Sequence, residues 1–432
     1  MPQSQKHERC GGWIMNDLIK NKNFVSLFFG RLISNIGDSL YYIAAMWLAY
    51  NLGGSAFYSG LAGFLTLLPE CLSFLVGPIV DRMNLKKVLV IPSLFQGMLL
   101  LLVPILYMTH LLTVTGVLII MPLIALIDLF PYPAEGALIP RLVKKEQLVA
   151  ANSVMSFSYQ GTDLIFSMCG GFLILFTGAV NLYLIDTFTF FIAAAFFATI
   201  RLKVSNQIAQ PSFNFSSYRA DLAAGFRFVM QPLNLSLLLP LLGINFFLSA
   251  VLAALPSFAN QLGGPGKYGI LLTCYTLGFL LGTLTSSFLS RKMTMGIALI
   301  FGYAGSGIMW LLAAWAADRF FMLCCVFIVL ANFPVGATNI LFSTFFQVMP
   351  PQDMIGRVSA VIETLIAAAM PLGALFGGII TAWLGSTPLF LFQGGVVLVT
   401  SLIWILNKKL RQIPRLEELN GGSGHKLSDI PE

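Results

Sequence analysis

Six charged side chains fall inside stretches that are otherwise apolar: Arg31, Asp38, Glu70, Asp128, Asp163 and Glu363. A charge at the centre of a membrane-crossing helix costs on the order of 2.5–3.5 kcal/mol on insertion scales, so each is expected to face protein or water and to have a task. Arg31 and Asp38 stand two turns apart, on one face of a helix with about 10 Å of rise between them. Asp38, Glu70 and Asp163 fall near the middle of their stretches, Asp128 nearer one end, and Glu363 a turn or two into its helix. Glu135 and Asp186 fall near stretch ends and are expected to be wet. A carboxyl group in a low-dielectric cavity holds its proton more readily than in water, which suits a proton carrier. Binding a cationic substrate at the same group would exchange proton for ligand. Asp38 is the first candidate for this role, followed by Glu70 and Asp163. The plainer alternative for Asp38 is a structural pair with Arg31, or capping in the Asn35-Ile36-Gly37 segment. Satisfying a kinked backbone is an equal alternative for Glu70, after Pro69, and for Asp128, before Pro131.

Aromatic residues make up 13% of the chain, enough to line a cavity that grips flat or amphipathic ligands by area rather than by directed hydrogen bonds. Tyr42, Trp47, Tyr159, Tyr275 and Phe333 are the candidates, against core packing or lipid contact as the plain alternative for each. The pairs Gly278 with Gly282 and Gly373 with Gly377 read as close helix packing or gate flexing.

The elements that must carry these residues are helices. Crossing the roughly 30 Å hydrocarbon core takes about 20 apolar residues. Twelve such stretches are expected: 24–50, 56–78, 87–108, 113–133, 148–177, 181–200, 233–259, 267–289, 295–316, 320–347, 354–383 and 386–406. The chain is 57% hydrophobic and only 10% charged, with mean hydropathy +0.84, whereas a soluble domain is about a quarter charged. An integral membrane protein without a separate soluble domain is implied. All but three of the 25 Lys and Arg residues lie in the tails or in every second gap; the exceptions are Arg31, Lys267 and Arg319. This alternation is the positive-inside signature, and it puts both termini in the cytoplasm. The net charge of +7 thus sets orientation and meets anionic head groups, and is no argument for nucleic acid. Residues 1–23 are polar and show no secretory signal.

The gap 201–232 is the longest and divides the stretches into two groups of six. Within it Tyr218, Leu222, Phe226 and Met230 form a helical stripe suited to the inner membrane surface. The halves echo one another. Leu52-Gly53-Gly54 with Tyr58 recurs as Leu262-Gly263-Gly264 with Tyr268, and Gly77 before Lys86-Lys87 recurs as Gly282 before Arg291-Lys292. Lys144 to Ser153 is echoed by Pro350 to Ser359. A duplicated six-helix unit follows, and such halves rock about a midplane site in transporters.

Enzyme chemistry finds no support. The three histidines, His7, His110 and His425, lie in tails or a loop. The six cysteines have no metal spacing and read as small apolar filler. No phosphate-binding Gly loop with Lys-Ser/Thr is present, so ATP does not drive the protein directly. No cofactor is expected.

The run Gly77-Pro78-Ile79-Val80-Asp81-Arg82-Met83-Asn84-Leu85-Lys86-Lys87 resembles the loop between helices two and three of the major facilitator superfamily, whose pattern is G-x-x-x-D-R-x-G-R-R/K. Asn stands where the family has Gly, and it tolerates a left-handed turn there. Gly37-Asp38 with Trp47-Leu48, Ala137 to Ser153, Leu184-Ile185-Asp186 and Gly225 to Val229 resemble the branch of macrolide-efflux permeases and the enterobactin exporter. The fifth-helix Gly-Pro marker of antiporters is only half present, at Cys169-Gly170-Gly171. The resemblance implies an all-α membrane fold of twelve helices in two pseudo-symmetric six-helix bundles, 24–200 and 233–406, with tails 1–23 and 407–432. It also implies a gate in which Asp81 meets the start of helix eleven near Met354 to Arg357, braced by Arg82, Lys86 and Lys87. A carboxylate at a helix N-terminus gains about 0.3–1 kcal/mol when exposed. The expected activity is proton-coupled efflux of a small amphipathic compound across a bacterial-type inner membrane by a monomer in contact with lipid. Siderophore or lipid-like export, uncoupled facilitation, and a transport-inactive receptor of the same fold stay open.

Overall fold

The structure, a computed structural model, describes residues 17–80, 83–144, 147–201, 223–317, 319–351 and 354–413. Every regular element among them is a helix. Nine helices among the described residues are long and apolar enough to cross a membrane, from Leu85–Met108 to Thr387–Leu406. Lys22–Gly53 and Leu148–Thr177 are as long, at 32 and 30 residues, and carry much of the polar chemistry. Of the linker stripe, Tyr218 and Leu222 lie outside the described residues. Phe226 and Met230 are exposed, as a face resting on a membrane surface would be.

Proline sets the breaks. The expected stretch 56–78 is a helix Ala56–Leu67, a 3-10 turn Leu68–Leu72 and a helix Ser73–Val80. Pro69 has no N–H to donate and its ring clashes with the preceding turn, which tightens the backbone there. The expected stretch 113–133 is Val114–Asp128 followed by Pro131–Leu142. Pro131 occupies the first helical position, where its missing N–H costs nothing, so the chain restarts as helix and runs past the expected end. That extension carries Glu135 into the interior.

Contacts among the described residues divide the chain into two units, Met1–Leu48 with Leu72–Phe213 and Ala49–Cys71 with Asn214–Glu432. In the first, helix Ala179–Thr199 packs against Leu85–Met108. It also meets Lys22–Gly53, where Gly30 faces Phe197 and Gly37 faces Asp186. Leu27, Val80, Leu89, Leu138, Met155 and Phe197 form an apolar core toward one end.

The second unit is built on backbone-to-backbone approach. Gly278, Gly282 and Gly336 bring Pro265–Lys292 and Phe321–Val348 together until the carbonyls of Val329, Phe333 and Phe279 lie where a side chain would stand. Gly373 and Gly377 do the same for Ile355–Leu384 against Pro232–Gln261. In lipid there is no hydrophobic drive between helices, and small residues substitute close van der Waals contact for it. Residues 49–71 make their contacts here: Gly60 meets Gly378, and Ser59 Oγ donates to the Ala253 carbonyl at 2.7 Å.

Gly282→Leu is expected to lower the stability of the purified protein by about 1–3 kcal/mol through overpacking. Gly305→Leu, where an added side-chain carbon would meet nothing from another helix within 4 Å among the described residues, should leave it unchanged. Thermal unfolding in detergent, followed by size-exclusion elution, distinguishes them.

Candidate functional site

The first unit holds a buried polar network drawn from several helices. Its anchor is Arg31, 4% exposed, whose Nε stands 3.0 Å from Glu135 Oε2, itself on a 4% exposed residue. Arg31 Nε also donates to Tyr159 Oη at 2.9 Å, and Tyr159 Oη donates to Glu135 Oε2 at 2.5 Å. The guanidinium carbon lies 4.8 Å from the Tyr159 ring centroid, and Tyr132 meets that ring edge-on. Lys22–Gly53 supplies the arginine, Pro131–Leu142 the glutamate and Leu148–Thr177 the tyrosine. Further hydrogen bonds fix the register of the first of these. Asn35 Nδ2 donates to the Ser158 carbonyl at 3.1 Å, and Tyr41 Oη to the Met121 carbonyl at 2.8 Å.

Three more carboxyls surround this pair. Asp38 is half-buried and within electrostatic reach of Arg31, Asp128 and Asp186. Asp128, at the end of Val114–Asp128, accepts from Gln96 Nε2 at 3.3 Å. Asp186 is 0% exposed and accepts from Thr189 Oγ1 at 3.1 Å. Arg31 is therefore within electrostatic reach of three carboxyls, Glu135, Asp128 and Asp38, while Asp186 stands near Asp38 and Asp128. Buried charges are tolerated when paired and hydrogen-bonded, and Arg31 with Glu135 meets both conditions.

Several expectations change. Arg31 pairs with Glu135, not with Asp38. Glu135 and Asp186 are buried rather than wet, because Pro131–Leu142 continues past 133 and Ala179–Thr199 begins at 179, seating both acids well inside helices. Asp163 is exposed, and its Oδ1 accepts from Ser39 Oγ at 3.4 Å. Glu70, in the 3-10 turn, and Glu363 belong to the second unit and are exposed. Among the aromatic candidates, Tyr159 belongs to the charged network and Trp47 is buried. Tyr42 and Tyr275 are half-buried, and Phe333 is exposed.

At the gating loop, Asp81 and Arg82 lie outside the described residues. Gly77 is in helix Ser73–Val80; Lys86 is half-buried and Lys87 exposed at the start of Leu85–Met108. Asn84 takes no left-handed turn. It is extended, with φ −72° and ψ 107°, and its side chain accepts from the Lys87 N–H at 3.3 Å. Capping of an orphan helix donor is the reason asparagine suits the position.

Gln96, Glu135 and Asp186 are the members that reading the sequence left out. One signal was available for Glu135: a buried arginine requires a counter-charge, and Glu135 follows a proline pair that permits a helix restart.

Comparison with known proteins agrees along nearly the whole chain. A family described as transmembrane secretion effector matches residues 17–425. The "Multidrug efflux pump Tap" of Mycolicibacterium fortuitum is 22% identical over 395 residues, 90% of this chain and 96% of that protein. The "Uncharacterized MFS-type transporter YvqJ" of Bacillus subtilis (strain 168) is 26% identical over 419 residues, 93% and 96% of the two chains. Among solved structures, a bacterial homologue of the iron transporter ferroportin superposes with TM-score 0.68 at 15% identity, covering 90% of this chain and 98% of that one. A bacterial homologue of the human lysosomal transporter Spinster gives 0.60 at 14%, covering 90% and 95%.

Breaking a buried pair by removing one partner costs about 3–5 kcal/mol. Arg31→Met and Glu135→Gln should each lower unfolding stability by about that much, whereas the double variant Arg31→Met with Glu135→Leu should lose less than either. Thermal or denaturant unfolding of the three purified variants measures the difference.

Proposed function

The chain belongs to the transmembrane secretion effector family of major facilitator transporters, which are not enzymes, and on that footing we propose that it exports a small amphipathic compound in exchange for protons. The observation that carries this reading is the charge balance of the buried network, in which Arg31 is within electrostatic reach of Glu135, Asp128 and Asp38, with Asp186 beside the last two. A site short of positive charge takes up protons from one side of a membrane and gives them up on the other when its surroundings change. Asp38, half-buried while its neighbour Asp186 is sealed, is the group through which protons and a cationic or amphipathic ligand compete. The similarity to Tap, named as a multidrug efflux pump, supports the outward direction and a drug-like substrate.

In this reading the nine apolar spans are joined by Lys22–Gly53, Ala56–Val80 and Leu148–Thr177 to make twelve crossings. They form two six-helix bundles, 24–200 and 233–406, that give alternating access in transport. Tyr42, Tyr275 and Phe333 contribute apolar contact for the substrate. The loop at Asp81 and Arg82, with Gly77, Lys86 and Lys87, biases one conformation over the other, since an interaction shifts an equilibrium only by its difference between states. Glu70, Asp163 and Glu363 serve as outlying acids on the path. The protein works as a monomer in a bacterial-type plasma membrane, with both termini in the cytoplasm.

Asp38→Asn should abolish pH-gradient-driven accumulation in proteoliposomes across a panel of macrolides, lipophilic dyes and siderophores, while membrane insertion stays intact. Efflux unchanged from the parent would remove Asp38 from the mechanism. For orientation, Lys267→Cys and Arg319→Cys should react with an impermeant maleimide on intact cells, and Lys144→Cys only after permeabilisation. The opposite pattern would invert the topology.

A further inference from the structure

We propose that Asp186 is the proton-holding partner of Asp38, a carboxyl sealed between helices that exchanges one proton with the acid on the wetter side. The proposal rests on the proton-coupled reading above and names the residue that stores the proton.

Four observations lead to Asp186. It is 0% exposed, on a helix that packs against both Lys22–Gly53 and Leu85–Met108. Its Oδ2 is buried without a hydrogen-bond partner among the described residues. Its Oδ1 receives only the Thr189 hydroxyl, which is shared with the Asp186 carbonyl at 2.7 Å. That oxygen also lies against Gly37, where an added side-chain carbon would fall on it. Glycine at 37 is thus what lets the carboxyl reach the backbone of the residue preceding Asp38.

The charged and titratable surroundings are acidic or already committed. Lys22–Gly53 presents Asp38, Tyr41 and Arg31, and Arg31 is engaged by Glu135 and Tyr159. Val114–Asp128 presents Asp128, and the helix of Asp186 itself presents Tyr183, whose hydroxyl is also without a partner. On Leu85–Met108 the titratable residues Lys86, Lys87 and Tyr107 stand at the ends, with Gln96 nearer the middle. On Leu148–Thr177 they are Tyr159, Asp163 and Cys169. A carboxylate held there would lack the donors or cation that buried charges require, and a bound proton removes that uncompensated charge.

The exchange is a simple transfer. A protonated Asp186 and an ionised Asp38 become an ionised Asp186 and a protonated Asp38, with no other bond made or broken. The proton then leaves or enters through Asp38, the half-buried member.

Infrared difference spectroscopy of the purified full-length chain, titrated with pH, reads this directly without a substrate. The parent protein should show a protonated-carboxyl C=O band that Asp186→Asn removes and Asp186→Glu restores at a shifted frequency. Asp38→Asn should move the pH midpoint of that band. In proteoliposomes with an imposed pH gradient and ethidium as the probe, Asp186→Asn should reduce driven accumulation at least tenfold. A band unaffected by Asp186→Asn, or a midpoint unmoved by Asp38→Asn, would overturn the proposal, and the second comparison decides even where Asp186→Asn fails to fold. If the parent protein instead shows the band and its Asp38 dependence but no gradient-driven accumulation of any probe, the transport reading fails and the Asp186–Asp38 exchange stands.

Discussion

A guanidinium cannot be left alone between helices in a membrane, and the arrangement of the first unit follows from satisfying Arg31. Its partner Glu135 and the bridging Tyr159 come from two other helices, so three elements must converge with side-chain accuracy. Desolvating the pair is expensive, and the attraction between the charges offsets that cost only where remaining donors and acceptors are met. Here Tyr159 meets one from each side, donating to the carboxylate and accepting from the arginine. Asn35 and Tyr41 then hold the Arg31 helix in register.

The second unit solves the same packing problem by other means. Polar side chains give way to glycines whose missing side chains admit the carbonyls of the facing helix. Close backbone approach gives dispersion contact that lipid tails do not replace. Such an interface depends chiefly on shape, with Thr283 Oγ1 donating to the Gly336 carbonyl at 3.4 Å across it. The two devices differ in kind: close backbone contact in one unit, and in the other a buried charge network.

That contrast bears on how a transporter of this family would couple two solutes. In the first unit Arg31 is fixed by its partners, while among the described residues the electrostatics link Asp38 and Asp128 to no other cation and Asp186 to none. In the proposed mechanism, a proton or a positively charged ligand at the site would relieve the same imbalance. Competition between the two gives exchange without any additional machinery, and a conformational change that alters access to Asp38 alone would impose direction.

Much of this was legible in the amino-acid sequence. Apolar length and the alternation of Lys and Arg are local, one-dimensional properties, and they fixed the helical membrane class and marked Arg31, Asp38 and Asp128 as costly residues needing a reason. The Gly278–Gly282 and Gly373–Gly377 spacings likewise implied close helix contact. Pairing was not legible. Arg31 meets Glu135, and Gly37 meets Asp186, across more than a hundred residues of chain, so no local pattern specifies either contact. Hydropathy also ended two helices in the wrong place, because it weighs apolar content and is blind to a proline that restarts a helix or a glycine that opens one. Only when the helices are packed does the burial of Glu135 and Asp186 become a fact, since burial is a property of neighbours in space and not of neighbours in sequence.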